Sequence, residues 1–184
     1  MRLLPTSLLF VLFSASTLGL AATAAPANAP DPFALNEPSV VKITRKHNIR
    51  VVYDVKDDVW DAGIGKALYY VRGLLESYKA LGVPQKELHI SIVLHGPTAY
   101  WILNEQTYRQ FKNDEFAFNP NEHVIQGLLK HGVSVEVCNV SLRGKGWSAT
   151  DLLPGVTVVR DAYTRLIDLR SKVMPTYAFK NSAS

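Results

Sequence analysis

The chain has 184 residues, enough for one domain with its own core, and a composition that is 47% hydrophobic and 20% charged excludes disorder of the whole chain. A formal charge of +4 and a pI of about 9.2 make it mildly basic. Lys and Arg are nevertheless scattered, with no basic run longer than Arg45-Lys46, which is the pattern of a solvated mixed surface and not of a nucleic-acid footprint.

Met1-Arg2 gives a short positive start, residues 3–20 are apolar apart from Pro5, Gly19 and small hydroxyl residues, and Ala22-Thr23-Ala24 fits the A-x-A cleavage rule. These features predict a signal peptide over residues 1–24. The chain is then exported, periplasmic in a Gram-negative source, with no stable membrane insertion after cleavage. Residues 25–46 are rich in Pro and Asn and read as a flexible leader; residues 47–184 read as the folded domain.

Residues 49–55 are β-branched and apolar, a first strand. Ile64, Ala67, Leu68, Val71, Leu74, Leu75, Tyr78 and Leu81 step by three and four, the single apolar stripe of a helix. Asp61 is placed to cap it, Gly82 to stop it and Pro84 to bar continuation. Leu88, Ile90, Ile92 and Leu94 alternate with other residues in a second strand that ends at His95-Gly96-Pro97. A mixed helical segment is expected over residues 99–111. Asn119-Pro120 reads as cap and first residue of a helix with Val124, Ile125, Leu128 and Leu129 inward and Gly132 at its end.

Residues 133–137 form a third strand, with Cys138 directly after it; a loop with a short helix capped by Ser148 follows. Residues 156–159 are a fourth strand, Asp161 caps a helix with Ala162, Tyr163, Leu166 and Ile167 on one face, and residues 176–179 offer a short last strand. Strands alternating with helices predict one α/β domain: an open, mainly parallel sheet of about five strands with helices on both faces. Ligands of such sheets bind at the carboxyl ends of the strands. That rim should gather the ends of the first three strands, His95 and Cys138 among them.

Cys138 is the one cysteine of the chain. A lone thiol in an exported protein is free, bonded between molecules, or buried and inert. Its place between a strand and a helix-prone segment suits a nucleophile, because helix N-termini and nearby cations stabilise a thiolate. Asn139, Ser141, Arg143 and Lys145 follow as supporting residues, and Asn139 tolerates the left-handed backbone that such a turn often needs. His95 is either the base that orients or deprotonates the thiol or a structural histidine. No cofactor or metal is expected. C-x-x-C, G-x-G-x-x-G after a strand and the P-loop motif are all absent, and the paired histidines are spaced too far apart to share an ion.

In order and spacing, Val51-Val52-Tyr53-Asp54-Val55, the long helix after it, Val93-Leu94-His95-Gly96-Pro97, and Cys138 followed by Arg143-Gly144 and Asp151-Leu152-Leu153-Pro154-Gly155-Val156 resemble the DsrE/DsrF-like family. The resemblance spans roughly residues 49–179. It implies a flavodoxin-like parallel sheet and a small symmetric homo-oligomer, a trimer or hexamer. Some members carry persulfide sulfur on a strand-end cysteine, whose place Cys138 takes, while His95 matches the family's strand-end His-Gly. Asn139 and Val140 stand where Gly then Asn are expected, and Met174-Pro175-Thr176-Tyr177 where Gly precedes the last Tyr. Two functions follow as expectations. One is sulfur relay through a Cys138 persulfide with a donor or acceptor protein; the other is a non-catalytic, oligomeric small-ligand-binding or scaffold protein.

Overall fold

Five short segments with a common direction make up the sheet at the centre of the computed structural model, which describes residues 42–172 and 176–178. The expected signal peptide and all but the last residues of the expected leader lie outside the described residues. The elements in chain order are β1 (Ile49–Val55), β2 (Trp60–Asp61), β3 (Ile64–Gly65), α1 (Lys66–Ala80), β4 (Leu88–Leu94), α2 (Glu105–Lys112), α3 (Glu122–Lys130), β5 (Ser134–Cys138), α4 (Asn139–Gly144), β6 (Thr157–Val159), α5 (Ala162–Ser171) and β7 (Thr176–Ala178). The sheet order is β6-β5-β4-β1-β7, and every pairing in it is parallel. No helix among the described residues is long and apolar enough to cross a membrane.

Strand parity divides the core in two. Val51, Tyr53 and Val55 of β1, Ile90, Ile92 and Leu94 of β4, and Val135 and Val137 of β5 face a large cluster that takes in α1, α3 and the 3-10 stretch Gly96–Ile102. Val52, Val93 and Cys138 have the opposite parity and pack with Ala162, Leu166 and Leu169 of α5. Helices therefore lie on both faces, as the alternation of elements requires.

α5 is seated on its face by charge as well as by apolar contact. The Glu136 side chain is 2% exposed and is gripped at both oxygens by Arg165, Nε to Oε2 at 2.6 Å and Nη2 to Oε1 at 2.7 Å. Ser134 Oγ also donates to Oε1, and Arg165 Nη1 reaches on to Asp168.

Local structure departs from the sequence reading at four places. Asp61 caps no helix; it belongs to the β2–β3 hairpin, whose turn holds Ala62 at φ 48° and Gly63 at φ 80°. α1 begins one turn later, with Gly65 before it. Asn119 stands farther from its helix than expected: its Oδ1 accepts the Asn121 N–H as a cap would, but its amide donates to the carbonyls of Trp101 and Leu103, and α3 starts after Asn121. Asn139 has no left-handed backbone, because α4 begins at that residue. In α5 the buried stripe is Ala162, Leu166 and Leu169, and Tyr163 and Ile167 point to solvent. The caps Ser148 and Asp161 stand as read, each with its side chain bonded to the first turn it starts.

The loops after β1 and β4 are tied together by aromatic groups around one carboxylate. Asp58 accepts hydrogen bonds from Trp60 Nε1, Trp101 Nε1 and the Tyr100 hydroxyl at 2.8–3.0 Å. Burial, with the Asp58 carboxylate beside it, pushes the Tyr100 phenol up to about 12. Trp101 is fully buried against Gly65.

Candidate functional site

β4 and β5 run parallel with Leu94 beside Val137, so one further residue brings His95 alongside Cys138. Adjacent strands lie about 4.8 Å apart. His95 keeps the extended backbone, and its N–H donates to the Val55 carbonyl at 3.0 Å, which carries the β1–β4 ladder one residue past the named strand. Parity puts both side chains on the α5 face, because Val93 and Cys138 are there and His95 follows Val93 by two. Cys138 is 5% exposed and His95 7%.

The partner of His95 is Asp54. Asp54 lies on the same face of β1, and its Oδ1 is 2.8 Å from His95 Nε2. The hydrogen bond from His95 holds the Asp54 carboxyl below its ordinary value; the positive charges of Lys56 and Arg170 add to this and burial opposes it. Arg170, on α5, stands 3.7 Å from the other carboxylate oxygen. An ionised Asp54 requires the proton on His95 Nε2, which leaves Nδ1 as the basic nitrogen. The carboxylate thus orients the imidazole on the strand beside the one that ends at Cys138. The largely exposed Tyr163 ring stands edge-on to His95 with centroids 5.7 Å apart.

The carboxylate gives a pH signature. A group whose folded-state pKa is depressed adds stability above its unfolded value and loses it as the pH falls through the folded one. Asp54→Asn should cost about 1–2 kcal/mol near pH 6. The difference from the parent chain should shrink as the pH falls below about 4. Urea midpoints of the two proteins from pH 6 to pH 3 check this; a constant difference would mean that the charge on Asp54 plays no part.

The supporting residues separate into two sets. Ser141 belongs to the rim, where its Oγ accepts the Gly96 N–H at 2.8 Å and fixes α4 against the end of β4. Asn139, half-buried, opens α4 right after Cys138. Arg143 and Lys145 are exposed at the far end of that helix, about 6 Å or more along its axis from Cys138. Asp54 and Tyr163 were not singled out by sequence reasoning as site residues. The available signal for Asp54 was an acid at even parity within the apolar run of β1.

Comparison with known proteins agrees with this architecture. The family model described as the DsrE/DsrF-like family matches residues 64–173, more than half of the chain and including both His95 and Cys138. The structure of the protein of unknown function MTH1491 from Methanobacterium thermoautotrophicum aligns with a TM-score of 0.53 at 18% identity, covering 71% of this chain and 99% of that one. The crystal structure of the ychN protein from E. coli aligns with a TM-score of 0.53 at 16% identity, with the same coverage of 71% and 99%. At these identities the likeness is one of fold. No curated protein matches the sequence.

Proposed function

The chain belongs to the DsrE/DsrF-like family, and from that premise we propose that it is a sulfur-relay protein that carries sulfane sulfur on Cys138. The observation that carries the reading is the Asp54–His95 pair, 2.8 Å apart, with His95 at the end of β4 beside the strand that carries the only thiol of the chain. His95 Nδ1 takes the Cys138 proton. The thiolate then attacks the outer sulfur of a donor persulfide; a new S–S bond forms on Cys138, the donor's S–S bond breaks, and the donor leaves as a thiolate. An acceptor thiolate attacks the outer sulfur of the Cys138 persulfide in turn and releases the Cys138 thiolate. The two transfers involve no net oxidation. Asp54 acts through His95 as a positioning residue.

Burial of Cys138 among Val52, Val93, Ala162, Leu166 and Leu169 supports the second reading, a non-catalytic ligand-binding or scaffold protein with an inert core thiol. Intact-mass measurement after exposure of the folded, reduced chain to glutathione persulfide separates the two. One added sulfur atom on the parent chain, none on Cys138→Ser, and loading slowed about a hundredfold in His95→Ala is the expected result. Sulfur uptake that occurs only on unfolding would leave the second reading.

A further inference from the structure

A groove of about 580 Å³ runs between α1 and α3 at the end of the sheet where β4 begins, opposite the rim that holds Cys138. Its size is that of a small-molecule site. The core comes to the surface there: Leu75 and Leu88 are each 9% exposed, Val124 8% and Val83 6%, where Ile92 and Leu94 of the same core are at 0%. Among the described residues the walls carry Arg72, Lys79, His123 and His131 against a single carboxylate, Glu76, which already faces Arg72 at 3.9 Å. Gly127 forms part of the α3 wall, and a Cβ placed on it would meet only open space. Backbone in place of a side chain leaves the apolar floor within reach from outside.

We propose that this groove is a binding site for a small amphipathic carboxylic acid. The apolar body covers Leu75, Leu88 and Val124, removing from water the part of the core that is open between α1 and α3. The carboxylate lies on the cationic rim beside Lys79, within reach of imidazole N–H groups from His123 and His131. Among the described lining residues an amine of the same shape has only Glu76 to receive it, and Glu76 faces Arg72. An uncharged alcohol keeps the floor and loses the rim. The site is separate from Cys138 and stands whether or not that thiol carries sulfur.

Titration calorimetry of the full chain with decanoate and with decanol tests the assignment. Gly127→Leu fills the groove from its own wall, and Leu is the better helix former, so this variant keeps its fold; Lys79→Glu reverses the rim, and thermal melting verifies both variants. The expected result is saturable decanoate binding, at least about tenfold weaker for decanol and at least about tenfold weaker in each variant. Sulfur loading on Cys138 should stay unchanged in Gly127→Leu, so failure here and failure of the sulfur reading remain distinguishable. Absence of saturable binding, equal affinity for acid and alcohol, or undiminished binding by Gly127→Leu overturns the proposal. So does a Gly127→Leu protein that binds no less decanoate but changes its mass by light scattering, because the groove would then be a face between copies.

Discussion

Arg165→Met should be among the most destabilising single substitutions in the domain, at about 3–5 kcal/mol. The cause is the carboxylate it abandons. Glu136 lies in the middle of β5 with its side chain 2% exposed, and both of its oxygens are bonded to Arg165. Without the guanidinium, Ser134 alone remains to bond it, and a buried charge is left without a counter-ion. The companion variant Glu136→Met/Arg165→Met should recover most of the loss, because apolar side chains of similar volume often replace a buried pair without net cost. Denaturant midpoints of the two proteins decide the matter. A double variant as unstable as the single would mean that Arg165 matters for something other than Glu136, such as its bond to Asp168.

Trp101→Ala should cost a similar about 3–5 kcal/mol. Trp101 is 0% exposed, packs edge-on against Trp60 at 5.7 Å and donates its indole N–H to Asp58. Its ring also presses on the backbone of Gly65, where an added Cβ would come within 2.3 Å of the ring. The same contact predicts a coupling. Gly65→Ala alone should destabilise by about 1–3 kcal/mol through overpacking, because the backbone there is of an ordinary kind (φ −56°) and the cost is purely one of space. In the Trp101→Ala background the space exists, and Gly65→Ala should add little. A double-mutant cycle by chemical denaturation gives the answer, and strict additivity would sever the two positions.

Much of the fold was legible because its signals are local. The stripe of α1 and the alternation of β4 are read from periods of 3.6 and 2, and the caps Ser148 and Asp161 from side chains that bond within the same turn. The rim that holds His95 and Cys138 follows from the direction of parallel strands. The β2–β3 hairpin was not legible, because its turn puts an alanine at positive φ, a place that most sequences give to Gly or Asn. The outward face of α5 was misjudged because Ala162, Tyr163, Leu166 and Ile167 all fit within one helical arc; Leu169 settles which half meets the sheet. Asp54 was hidden for a different reason. Its role comes from His95, 41 residues away, and no local pattern within β1 announces a partner on another strand.

The order of the sheet also bears on how the chain is made. β7 pairs with β1, so the last strand among the described residues covers an edge of the first. Until then β1 offers one unpaired side to any other extended chain, and the sheet can close only through contacts between the two ends of the domain. A nascent or truncated chain that lacks 176–178 therefore carries an open β edge beside a nearly complete core.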